Sequence, residues 1–230
     1  MREIAARVRA VRERLARAAL RAGRRPEEVK LIAVTKNVPV EAIREAVDAG
    51  IAAVGENRVQ EAQPKVAALG RDVEWHFIGH LQTNKVKYLA AWASYIHSLD
   101  RLRLAQELEK QGARAGRKWR VLVQVNLTGE ESKYGLAPEQ LRPFLEKIGD
   151  SAWLEVVGLM TIAPFTADPE ETRPVFRQLR ELAEALRREG WPQTMLEHLS
   201  MGMSNDFEVA VEEGATMIRV GTAIFGPRGR

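Results

Sequence analysis

Eight short apolar or β-branched runs punctuate this chain, and stretches of helical character separate them. The runs are Lys30–Thr35, Ala52–Gly55, Val73–Ile78, Ser94–His97, Trp119–Val125, Leu154–Gly158, Met195–Leu199 and Met217–Val220. Helices are expected between them at Val40–Ala49, Val59–Leu69, Leu102–Ala113, Pro138–Ile148, Pro169–Arg188 and Phe207–Glu213. Tight hairpin signals are missing, so neighbouring strands pair in parallel through crossover helices. Eight parallel strands close on themselves. The expected fold is α/β, a single (β/α)8 TIM-type barrel, and 230 residues suit one domain over 1–230 better than two. A doubly wound open sheet is the rival, but it usually carries a Gly-x-Gly-x-x-Gly fingerprint after an early strand. Here Val34-Thr35-Lys36-Asn37 follows the first run instead.

The charge is unevenly placed. Residues 1–25 hold nine Arg against Glu3 and Glu13, although the whole chain carries only +4. Ile4, Val8, Val11 and Leu15 recur there at helical spacing. That pattern predicts an amphipathic helix over 1–25, packed on the barrel with its Arg in water. Nucleic-acid binding, a membrane-surface helix or organellar targeting are the other readings of so basic a segment. It contains no Ser, which argues against targeting, and no stacking aromatic residue, which argues against single-stranded nucleic acid. No apolar run approaches the roughly 20 residues of a membrane span, so no membrane association is expected. The chain has no Cys, which removes disulfides and thiol catalysis and agrees with a reducing cytoplasm.

In such a barrel, ligands bind at the carboxyl ends of the strands, and the loops after strands 7 and 8 commonly hold phosphate. Lys36 follows strand 1 in a chain that uses 26 Arg and only nine Lys. Only an amine condenses with an aldehyde, so Arg cannot replace Lys in that task. A surface or ion-paired lysine is the plainer reading, and Lys133 and Lys85 are weaker candidates for the same chemistry. Ser200-Met201-Gly202-Met203-Ser204-Asn205-Asp206 offers two hydroxyls and a Gly ahead of a helix, with Gly221 and Thr222 on the adjacent strand end. Together these suit a phosphate; a simple helix cap by Ser204 or Asn205 is the alternative. Arg219 ends strand 8, which closes against strand 1, so Lys36 and Arg219 approach one bound ring. A buried Arg needs an acceptor, and an ion pair with Glu56 would also explain it. His76 and His80 lack a third metal ligand, so no metal is expected. His97 and His198 read as satisfied core residues.

Several longer motifs occur in a fixed order: Leu31-Ile32-Ala33-Val34-Thr35-Lys36, Gly55-Glu56-Asn57-Arg58-Val59-Gln60-Glu61 and Trp75-His76-Phe77-Ile78-Gly79-His80-Leu81-Gln82-Thr83-Asn84-Lys85. Gly158-Leu159-Met160-Thr161, the 199–206 segment and Arg219-Val220-Gly221-Thr222-Ala223-Ile224-Phe225-Gly226 complete the set. Over essentially its full length the chain resembles the pyridoxal 5′-phosphate (PLP) homeostasis proteins, the YggS/PROSC or PLP-binding protein family. The resemblance implies a fold like the barrel of alanine racemase, with PLP as cofactor in a Schiff base on Lys36. It implies that Ser200, Gly202, Ser204, Gly221 and Thr222 surround the phosphate. Arg219 would face the pyridine nitrogen, and Asn57 and Met160 would line the ring.

An Arg cannot accept the pyridine proton, which leaves the ring a weak electron sink. The racemase architecture draws a second base from a further domain and a partner subunit, and a chain ending at Arg230 is expected to lack it. The resemblance therefore implies a cytoplasmic, monomeric PLP-binding protein that buffers or delivers the cofactor without catalytic residues. PLP-dependent apo-enzymes are its candidate recipients, and no nucleic acid is expected as a partner. Two enzymatic alternatives stand beside it. One is a single-domain PLP-dependent amino-acid racemase using Tyr134 or His80 as second acid–base; the other is a Schiff-base aldolase acting on a sugar phosphate.

Overall fold

In the computed structural model, which describes residues 2–70, 72–130 and 133–227, eight strands close into one barrel in sequence order. They are β1 Lys30–Val34, β2 Ala53–Glu56, β3 Glu74–Phe77, β4 Tyr95–Leu99, β5 Trp119–Gln124, β6 Leu154–Met160, β7 His198–Ser200 and β8 Met217–Val220. Every neighbouring pair is parallel, and the ring closes where β8 meets β1 with Arg219 opposite Ile32. The helices are α1 Arg2–Arg21, α2 Val40–Asp48, α3 Val59–Leu69, α4 Leu102–Ala115, α5 Pro138–Ile148, α6 Arg173–Arg188, α7 Phe207–Glu212 and α8 Thr222–Phe225. The expected barrel is the observed one.

Helices between the strands turn an apolar stripe inward, while α1 packs on α2, α7 and α8. In α4, Leu104 and Leu108 stand one turn apart, and both are fully buried with Trp119 of β5. Burial of each such Leu contributes about 2 kcal/mol.

Local departures have local causes. Strand β7 starts at His198 rather than Met195, because Pro192 opens a 3-10 turn over Gln193–Leu196 that buries Leu196. The expected helix over 169–188 is a 3-10 turn, Pro169–Thr172, capped by Asp168, followed by α6 with Pro174 in its first turn. Lys85 and Lys87 lie in a 3-10 turn, Thr83–Tyr88, and not in an α-helix.

The basic segment ends as a helix at Arg21, since Gly23 has φ +67. Nor are all its Arg in water. Arg14 bonds Glu208 at 2.7 Å, Arg21 bonds Glu212 at 2.7 Å, and Arg24 reaches the Val211 and Ala215 carbonyls at 2.9 Å. The positive surplus of α1 is thus spent partly on the acidic face and carboxyl end of α7.

Inside the ring, Ile32, Ala53, Tyr95, Leu122, Val157, Met160 and Met217 form an apolar layer. His76, His97, Ser200 and Arg219 share that interior and are also buried. A barrel interior is normally filled by branched apolar side chains. This one carries a polar column.

Candidate functional site

The mouth at the carboxyl ends of the strands has two walls. On the β1–β3 side, Thr35 follows the first strand with its N–H on the Gly55 carbonyl (2.9 Å) and its hydroxyl donating to Glu56 Oε1 (2.5 Å). Lys65 of α3 reaches the same spot. Its ammonium donates to the Thr35 carbonyl (2.7 Å), to Glu56 (2.8 Å) and to Glu61 (2.7 Å). Glu61 in turn accepts from the Asn37 backbone N–H. The residues before and after Lys36 are therefore both tied to one buried ion cluster, and Asn37 holds φ +56, a left-handed conformation that Asn tolerates well. Burial raises the Glu56 carboxyl above its ordinary value although Lys65 and Thr35 both pull it down.

Lys36 itself is partly buried, and no partner is found for its Nζ among the described residues. It opens on a cavity of about 620 Å³ shared with Asn57, His80, Lys85 and Tyr134. Asn57 Oδ1 and His80 Nδ1 are buried there without a hydrogen-bond partner. Gly79 packs flat on the Asn57 backbone, where a Cβ would stand 2.3 Å from the Asn57 carbonyl oxygen. The His80 and Tyr134 rings stack at 3.7 Å, and burial lowers the His80 imidazole below its usual value.

On the β7–β8 side, a smaller cavity of about 280 Å³ is lined by Ser204, Asn205, Arg219, Gly221 and Thr222 under the exposed Phe165 ring. Gly202 has φ +90, and a Cβ on it would meet Ala210 Cβ at 2.5 Å and Phe207 Cα at 2.9 Å. Only Gly lets the loop lie so close to α7. Asp206 accepts from the Met203 N–H at 2.6 Å and closes the loop. Ser204 Oγ accepts from the N–H groups of Gly221 (3.1 Å) and Ala223 (3.3 Å). These donors converge on an oxygen, as they would on a phosphate oxygen.

Arg219 lies at the floor between the walls, fully enclosed, with Nη1 on Ser200 Oγ (2.5 Å) and Nη2 on the Thr161 carbonyl (2.8 Å). Burial lowers its guanidinium to about 10, with Asp206 opposing, so it remains a cation at neutral pH. Its partner is not Glu56, as the sequence had allowed, because Lys65 already occupies that carboxylate.

Of the expected site residues, Lys36 and Asn57 share the first cavity, while Ser204, Arg219, Gly221 and Thr222 share the second. Gly202 shapes the loop from beneath. Two sit elsewhere: Met160 is fully buried in the apolar layer, and the Ser200 hydroxyl is fully buried between Arg219 and His97. Lys133 is paired with Glu130 at 2.7 Å and lines neither cavity. Sequence reasoning missed the Lys65–Glu56–Glu61 cluster; the i,i+4 spacing of Glu61 and Lys65 was its one signal.

The family model described as alanine racemase, N-terminal domain, matches residues 7–229. The chain belongs to that family. Among similar members, the pyridoxal phosphate homeostasis protein of Aquifex aeolicus is 51% identical over 219 residues, 95% of each chain. The protein of the same name from Escherichia coli K12 is 40% identical over 232 residues, covering 99% of this chain and 98% of that one. The solved structure of PipY from Synechococcus elongatus with PLP bound is 43% identical, with a TM-score of 0.82 over 94% of this chain and all of that one. Alanine racemase from Corynebacterium glutamicum is 16% identical, with a TM-score of 0.67 over 97% of this chain and 62% of that one. That likeness concerns the fold alone.

Proposed function

We propose that this chain binds PLP through Lys36 and takes part in intracellular PLP homeostasis, buffering or delivering the cofactor in the cytoplasm. The observation that carries this reading is the Lys36 amine, without a partner among the described residues, facing a cavity that also holds the unsatisfied Asn57 Oδ1. Relatives named for PLP homeostasis and the PLP-bound PipY structure support it.

The residues present fit the cofactor. Lys36 would hold the cofactor through its amine, with Asn57 beside it in the same cavity and Met160 in the apolar layer below. Ser204, Gly221 and Thr222 would hold the phosphate on the loop that Gly202 shapes, with the Ser204 hydroxyl as a donor. Arg219 offers N–H groups to the ring nitrogen. Ser200 acts from behind Arg219 instead of touching phosphate. When bound, PLP supplies an electron-accepting ring, and a donating Arg at its nitrogen keeps that sink weak. The protein works as a monomer that holds the cofactor for PLP-dependent apo-enzymes, and no group in it acts as a catalyst.

An absorbance spectrum of purified protein mixed with PLP tests this, wild type beside Lys36→Ala. The wild type should show the band of a lysine-linked cofactor and the variant should lose it entirely. Borohydride reduction and peptide mapping should place the label on Lys36; a label on Lys85 or Lys133 alone would overturn the site.

One observation favours a second reading. His80 and Tyr134 stack within the Lys36 cavity, where an acid–base pair for a racemase would stand. Exchange of the amino-acid α-hydrogen with deuterated water, well above the rate of free PLP and lost in His80→Gln, would make the chain an enzyme.

A further inference from the structure

The polar column inside the barrel is continuous from one end of the strands to the other. At the amino end, Lys30 Nζ and His76 Nε2 meet Glu74 Oε1 at 2.5 and 2.7 Å. His76 Nδ1 lies 2.8 Å from His97 Nε2, and His97 Nδ1 lies 2.9 Å from Ser200 Oγ. Ser200 Oγ then receives Arg219 Nη1 at 2.5 Å. His76, His97 and Ser200 are completely buried, so bulk water completes none of these bonds.

Donor and acceptor roles are fixed from both ends. A guanidinium only donates, so Ser200 Oγ accepts from Arg219; with neutral rings, counting back from Glu74, which only accepts, sends the Ser200 hydrogen to His97 Nδ1. His97 therefore carries its proton on Nε2 and gives it to His76 Nδ1. His76 likewise carries its proton on Nε2 and gives it to the Glu74 carboxylate, which only accepts. Each ring nitrogen has one role.

Both imidazoles are neutral in this arrangement, and their surroundings agree. Burial holds His97 well below its ordinary value, and the Arg219 and Lys30 cations push the same way. Burial lowers His76 too, against the pull of Glu74. A proton added to either ring would strand the Ser200 hydrogen without an acceptor. Beyond its members, the column is faced by Lys30 from β1, Tyr95 stacked on His76 at 4.7 Å, Arg120 paired with Glu155, His198 from β7, and Asp206.

We propose that Glu74, His76, His97 and Ser200 are positioning residues: a one-directional hydrogen-bond chain that fixes the place and orientation of the Arg219 guanidinium through Ser200 Oγ, so that its free N–H groups face the ring of the bound cofactor. This rests on the reading that PLP lies with its ring toward Arg219.

The hydrogen-bond chain is testable without cofactor. Nitrogen-15 NMR of the histidine side chains should show His76 and His97 as neutral, Nε2-protonated tautomers from about pH 5 to 8. A charged ring, or His97 protonated on Nδ1, overturns the proposal.

In the PLP-loaded protein, Glu74→Gln keeps an acceptor for His76 but removes the terminal charge. The pH midpoint of the bound cofactor's absorbance should fall by about half a unit, because a lost negative charge favours the deprotonated form. In a Ser200→Ala background the same substitution should leave the midpoint in place. An equal shift in both backgrounds, or none in either, overturns the chain. If wild-type protein shows no cofactor band, the PLP reading falls, and the NMR spectrum still decides the chain. That spectrum also decides it if either variant fails to fold.

Discussion

The two walls of the mouth are completed to different degrees. On the β1–β3 wall, bonds are left unmade: Asn57 Oδ1 and His80 Nδ1 are buried without hydrogen-bond partners, and Lys36 Nζ has none among the described residues. The β7–β8 wall satisfies itself. Ser204 takes the Gly221 and Ala223 N–H groups, Asp206 takes that of Met203, and Arg219 gives to Ser200 and Thr161. An unmade buried bond costs about 1–3 kcal/mol. The first wall carries that cost until a ligand arrives, while the second has to trade internal bonds for external ones. On the proposed reading, capture of the cofactor would fall to the unfinished wall and ease of release to the self-satisfied one.

The largest effect should come from breaking the stiffness behind the unfinished wall. Lys65→Met leaves Glu56 buried without its cation, which costs about 4 kcal/mol. Urea denaturation reads this directly, and a loss below about 1 kcal/mol would mean that the Lys65 cluster does not hold the Lys36 turn. Next comes Gly202→Ala on the self-satisfied wall. Positive φ and the contact with Ala210 force the loop outward, for about 2–3 kcal/mol of strain. PLP affinity should fall about tenfold or more as the loop donors move apart. Unchanged affinity would detach this loop from the phosphate.

The barrel itself was legible because eight runs without hairpin signals leave few topologies, and because ligands sit at one predictable end. Lys36, Ser204, Gly221 and Thr222 follow from that address rule. What was not legible depends on tertiary closure. Glu61 and Lys65 read as an ordinary surface pair one helical turn apart, and only the packing of α3 over β1 and β2 buries Lys65 against Glu56. His76 and His97 lie 21 residues apart and become partners through the β3–β4 register. With His97 beneath it, Ser200 belongs to the interior; nothing in the local motif distinguishes it from a phosphate ligand. Strand β7 was misplaced because Met195 and Leu196 are apolar for a turn that packs, not for a strand that pairs.

The smallest effect separates the walls most sharply. In the free protein, Ser204→Ala removes the oxygen that receives two backbone N–H groups, and water must replace it at a cost of about 1 kcal/mol. In the loaded protein the phosphate takes both N–H groups, so the variant loses only one hydroxyl bond to a charged oxygen, about 1.5 kcal/mol. The two losses nearly offset in the binding equilibrium. PLP affinity should therefore fall by only about two- to threefold, although the hydroxyl touches the ligand, while the melting temperature of the free protein drops measurably. A tenfold loss of affinity with an unchanged melting temperature would show that Ser204 stands idle before the cofactor arrives, and that the β7–β8 wall waits for its ligand just as the Lys36 wall does.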